Sequence, residues 1–126
     1  MKKGLIISGN LAQDHEFIYP YYRLLEENFE LDVCLPDGKP VLGFLGTTLP
    51  PNKDQIIKKI NEVSVDDYDV LVLPGGVKAM EKIRQDIKII DFISNFNSKN
   101  KIIACICIGV QLLISAKVVK NKKIAG

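Results

Sequence analysis

Cys107 stands where the segment Ala104-Cys105-Ile106-Cys107-Ile108-Gly109-Val110-Gln111-Leu112-Leu113 changes from strand-like to helix-like. A nucleophile at such a turn projects from the top of a sheet, with the free N–H groups of the new helix beside it. Those donors and the helix dipole favour an anion, and thiolate is the reactive form of cysteine. Gly109 suits this turn, because a side chain there would crowd the strand or a substrate. Free cysteine is also a common small core residue. Cys34 and Cys105 fit that description, and Cys107 alone would fit it too.

Two further features could complete a site. Leu73-Pro74-Gly75-Gly76 ends an apolar run, and ligands in open parallel sheets bind beyond the carboxyl ends of the strands. The Gly75-Gly76 pair permits close backbone approach, and its N–H groups could join those after Cys107 around a developing oxyanion. Taken alone, Pro-Gly-Gly is simply a turn. Glu16 lies near the start of an expected helix, where an acid is ordinarily solvated and favoured by the helix dipole. His15, the single histidine, adjoins it, but neighbouring helical residues point about 100° apart. His15 reads as a surface or capping residue.

The elements that must position these residues alternate. Four short β-rich runs, at 4–7, 31–35, 69–73 and 101–106, are separated by longer segments, which predicts a parallel sheet covered on both faces. Asp14 is a candidate N-cap for a helix to about Asn28, with Phe17, Tyr21, Leu24 and Leu25 on one face and a bend expected at Pro20. From Pro36 to Pro51, glycines among apolar residues suggest a small hairpin or flap. Ile56, Ile60 and Val63 predict a helix, and Met80, Ile83, Ile87, Ile90 and Ile93 predict one long helix from Ala79 to about Phe96. A last helix is expected from about Gly109 to Ala116.

Composition narrows the function classes. The 126 residues are 47% apolar and 25% charged, which fits one globular domain, and the formal charge of +2 comes from scattered lysines. No nucleic-acid partner is expected without a basic block. No run of about 18 apolar residues is present, so no membrane span is expected. The expectation is a soluble cytoplasmic protein with three reduced thiols. One histidine and a lone C-x-C offer too few ligands for a closed metal site. No metal or cofactor is expected.

In combination, Asp69-Val70-Leu71-Val72-Leu73-Pro74-Gly75-Gly76 and the Cys107-x-Gly109 elbow followed by Gln111-Leu112-Leu113-Ile114-Ser115-Ala116 resemble the ThiJ/PfpI family. The segment from Asp14 to Leu24 is similar to that family's protease-like branch. The resemblance covers essentially the whole chain. It implies a flavodoxin-like, doubly wound, three-layer α/β/α fold with a mostly parallel sheet. It also implies contact between Glu16 and Cys107, with the backbone N–H groups of Gly76 and Ile108 as oxyanion donors and Gly75 and Gly109 in support. The protonated form of such a carboxyl donates to a thiolate and helps to hold a sulfenate or sulfinate.

Two departures from the family pattern stand out. The protease-like branch carries histidine directly after the nucleophile, where this chain has Ile108, and isoleucine cannot shuttle a proton. The chain also ends before the family's last strands and closing helix, so residues 1–126 are expected to be one shortened domain with exposed apolar surface. A homo-oligomer is expected to cover it. Three functions follow from the resemblance. One is an intracellular protease/amidase-like enzyme, of hydrolase or glyoxalase/deglycase type, in which Cys107 attacks small carbonyl or amide substrates. Another is a redox or stress-response protein sensing oxidation at Cys107. The third is a degenerate, inactive member.

Overall fold

A computed structural model of the chain describes residues 2–50 and 57–124. Its centre is a four-stranded, all-parallel sheet of β1 (Lys3–Ile7), β2 (Glu30–Cys34), β3 (Val70–Leu73) and β4 (Ile102–Cys105), in the order β2-β1-β3-β4. β1 is central, with Ile6 opposite Val33 on one side and Val72 on the other, and Leu5, Ile6 and Ile7 are fully buried. A strand covered on both faces has no polar side to present, which is why these runs are continuous rather than alternating. Parallel crossovers are right-handed, so the step from β1 out to β2 and the opposite step from β3 to β4 put their helices on opposite faces. The result is a three-layer α/β/α sandwich.

The helices are α1 (Asp14–Glu26), α2 (Val77–Ile83), α3 (Ile87–Ser98) and α4 (Val110–Ser115). α1 passes through Pro20 and buries Phe17 and Tyr21, while Leu25, expected on that face, is exposed. The long helix expected over 79–96 is two helices. Asp86 accepts from the Lys88 amide at 3.0 Å and starts α3 afresh, because a capped N-terminus satisfies amides that would otherwise be orphaned. The buried face of α3 is accordingly Ile89, Ile90, Phe92, Ile93 and Phe96, and Ile87 points outward with 67% exposure.

Over its described residues, 57–63, the segment expected to be helical from Ile56, Ile60 and Val63 is not an α-helix. Ile56 and Pro51 lie outside the described residues. Lys58 instead pairs with Cys34 beside β2, with its amide donating to the Val33 carbonyl at 2.9 Å, and 3-10 turns at Ile60–Glu62 and Val65–Asp67 follow. A side-chain network reinforces this: the Asp32 carboxylate accepts from the Tyr68 hydroxyl at 2.6 Å and from Lys58 Nζ at 3.1 Å. The expected flap is present over residues 41–48, closed by an antiparallel Leu42–Thr48 bridge. β4 is an edge strand, and its Ile102 is 67% exposed.

Candidate active site

The sheet's strand order reverses between β1 and β3, and in open α/β sheets ligands bind at the carboxyl ends of the strands at such a point. Three elements deliver residues there: α1, following β1, carries Glu16; the turn after β3 carries Gly75 and Gly76; the elbow after β4 carries Cys107. The elbow is tied down by the Ile106 amide donating to the Leu73 carbonyl at 3.1 Å. Cys107 then takes φ +54°, a left-handed conformation that costs a non-glycine residue on the order of 1–3 kcal/mol. The chain turns through a 3-10 step at Cys107–Gly109 before α4 begins at Val110, so the predicted helix starts less regularly than expected.

Gly75 shows how close the parts are. A methyl group placed on it would lie 2.7 Å from Glu16 Oε2, 3.1 Å from the Ile106 carbonyl and 3.2 Å from Cys107 Cβ. Glu16 Oε2 and the Cys107 Cβ therefore lie on the same side of Gly75, where an added methyl group would crowd both. Gly76, at φ +117°, turns toward Leu11, Ala12 and Gln13 instead, and its position is the N-cap of α2. Gly109 is buried, and a methyl there would drive into the Leu73 carbonyl oxygen. Ile108, half-buried, follows the thiol.

The three thiols differ in environment. Cys107 is exposed. Cys34 is fully buried, and burial, with Asp86 and Glu62 adding negative charge, pushes its thiol up to about 12. Cys105 is half-buried and also pushed up by desolvation. Glu16 Oε2 is buried and has no hydrogen-bond partner. A buried, unpaired carboxyl oxygen costs stability, and such groups concentrate at functional sites. His15 is exposed in an outer groove of α1 with Tyr19, Tyr22 and Arg23, and takes no part in the cluster around Gly75. Among the described residues, no group of three or more His, Cys, Asp or Glu side chains could hold a metal ion. No helix among them is long and apolar enough to cross a membrane.

Sequence reasoning took Asp14 for the N-cap of α1 and missed its contact with the flap. Gln13 holds the N-cap position, without a side-chain cap, and Asp14 is the first helical residue. Its side chain, 2% exposed, reaches the flap, accepting from the Leu45 amide at 2.9 Å and the Thr47 hydroxyl at 2.5 Å. The Thr47 hydrogen bond, helped by the Leu45 amide and working against burial, holds this carboxyl below the ordinary range. No pattern in adjacent residues pointed to this contact, because it joins residues more than 30 positions apart.

A family model described as the DJ-1/PfpI family matches residues 2–126. Deglycase PfpI of Pyrococcus furiosus is 36% identical over 121 residues, covering 96% of this chain and 69% of that protein. General stress protein 18 of Bacillus subtilis is 31% identical over 126 residues, covering 99% and 70%. Among solved structures, DJ-1beta of Drosophila melanogaster superposes with a TM-score of 0.80 at 24% identity, covering 93% of this chain and 61% of that one. A two-domain protein of Anabaena variabilis, with DJ-1/ThiJ/PfpI-like and ferritin-like domains, superposes with a TM-score of 0.88 at 27% identity, covering 98% and 34%. The chain thus spans only part of each of these proteins. Matched by the family model along nearly its whole length, and by relatives sharing more than 30% of its residues, the chain belongs to the DJ-1/PfpI family.

Proposed function

We propose that the protein is a cysteine-dependent enzyme acting on small carbonyl or amide compounds, with Cys107 as nucleophile. The observation that carries this reading is that the exposed Cys107 and the buried, unpartnered Glu16 Oε2 both border Gly75. In the first step the thiolate adds to a carbonyl carbon. The S–C bond forms as the C=O π pair moves onto oxygen, where the backbone N–H groups of Gly76 and Ile108 receive the charge. The Glu16 carboxyl supplies the proton that makes the adduct neutral, which is how the site works without a histidine at position 108. The deglycase names of relatives such as that of Pyrococcus furiosus support a carbonyl-derived substrate.

Iodoacetamide is expected to label Cys107 at least about tenfold faster than Cys105, with Cys34 inert in the folded protein. Labelled protein, Cys107→Ser and Glu16→Gln are each expected to lose turnover of methylglyoxal or of a glycated amine. Purified parent protein that turns over neither compound overturns the enzymatic reading.

Ile108 favours a second reading, an oxidation sensor, because holding an oxidised sulfur needs the thiol and Glu16 but no base. Mild peroxide then adds oxygen to Cys107 selectively, and Glu16→Gln shortens the life of the adduct. Equal oxidation of all three cysteines by intact-mass and peptide analysis sinks that alternative.

A further inference from the structure

Glu16 Oε2 has no hydrogen bond to hold it in place, and the helix it starts from has no side-chain cap at Gln13. Something else must fix the first turn of α1, because an unrestrained helix start frays. The described contacts supply it. The Leu11 amide donates to the Leu42 carbonyl at 2.8 Å, the Phe44 amide to the Ala12 carbonyl at 2.9 Å, and the Gln13 amide to the Gly75 carbonyl at 3.3 Å. The Asp14 carboxylate closes the sequence through Leu45 and Thr47, two residues before Glu16. Gly43 packs so tightly on that carboxylate that a methyl group there would overlap it.

We propose that Asp14 is a positioning residue for the thiol site: it clips the 41–48 flap onto the first turn of α1 and so fixes Glu16 against Cys107. This rests on the reading of Cys107 and Glu16 as the reacting pair. A clip made by one buried carboxylate and two donors differs from general packing, because removing the Thr47 hydroxyl loosens it while leaving the shape of the side chain and the Leu45 hydrogen bond in place. The Asp14 side-chain hydrogen bonds go to the flap and not to Cys107, so its effect on the thiol runs through Glu16.

The experiment compares Thr47→Val, Thr47→Ser, Glu16→Gln and the double variant Thr47→Val/Glu16→Gln, using iodoacetamide labelling of Cys107 against pH with Cys105 as internal standard. Thr47→Val is expected to slow Cys107 labelling at neutral pH by about threefold or more and to move its pH profile toward that of Glu16→Gln, whereas Thr47→Ser restores the parent profile. In the Glu16→Gln background, Thr47→Val is expected to add nothing, since residues acting through one another are non-additive. If Thr47→Val does not fold, Asp14→Asn, which keeps an acceptor for the Leu45 amide, is read in the same way. A variant that melts earlier but keeps the parent labelling profile, or one whose effect adds in full to Glu16→Gln, overturns the proposal and leaves Asp14 as a structural clip. A parent protein in which Cys107 labels no faster than Cys105 instead defeats the reading of the reacting pair.

Discussion

Two glycines at the site are held to glycine by different neighbours, and that difference is measurable. A methyl on Gly75 would meet the flexible end of Glu16 first, at 2.7 Å, and then the Ile106 carbonyl at 3.1 Å. A methyl on Gly109 would meet the Leu73 carbonyl, which belongs to β3 and cannot step aside. Gly75→Ala is therefore expected to fold with a modest loss, at the low end of the roughly 1–3 kcal/mol typical of overpacking, while displacing Glu16 and altering Cys107 labelling. Gly109→Ala is expected at the high end or beyond. Urea midpoints for the two variants check the order, and a Gly109→Ala protein as stable as Gly75→Ala contradicts it. Both glycines were legible in the sequence as parts of turns. Which atoms they make room for was not, because those atoms come from other elements.

Among the elements, α2 and α3 show where periodicity misleads. Ile83, Ile87 and Ile90 follow one another at helical spacing, so the apolar pattern runs unbroken across a boundary. The boundary is set by Asp86, whose side chain competes for the Lys88 amide and ends one helix by beginning the next. Asp86→Ala is expected to cost about 1 kcal/mol, the usual value of an N-cap, and Asp86→Asn much less. Thermal melts of the pair decide it, and equal losses would remove the capping explanation. Arg84, at the end of α2, reaches Ser115 and Gln111 on α4 at 3.2 and 3.3 Å, so the short α2 is still braced against the helix that follows the elbow.

At the scale of the whole molecule, the Asp32 and Asp14 carboxylates and the Cys34 thiol contribute to the pH range of stability. Burial pushes Asp32 upward, but hydrogen bonds from Tyr68 and Lys58, with the charges of Lys58 and Lys3, outweigh it and leave it below the ordinary range. Asp14 is depressed as well, mainly by Thr47. Groups depressed by folding contribute stability above their unfolded pKa, about 3.9 for aspartate, and lose it as pH falls through the folded value. Cys34, raised from 9.0 to about 12, acts in the opposite sense: its contribution is complete below 9 and is lost as pH rises toward 12. Stability is therefore expected to be level between about pH 5 and 9 as far as these groups decide it, and to fall on both sides. Asp32→Asn is expected to flatten the acid limb and Cys34→Ala the alkaline one. Urea unfolding across pH checks this, and an acid limb unchanged in Asp32→Asn refutes the role given to Asp32.

The sequence by itself determined the order of the four strands along the chain, the fold class and the elbow at Cys107. Those features are local: apolar runs, glycine pairs and a strand-to-helix change are written in adjacent residues. Tertiary structure alone decided that Lys58 lies along β2 rather than in a helix and that Asp14 grips a flap more than 30 residues away. It also left Glu16 Oε2 without a partner at the Gly75 turn. Each of these is a competition between a residue's nearest neighbours in sequence and groups that only folding brings within reach, and a buried polar group takes whichever partner the packed chain delivers.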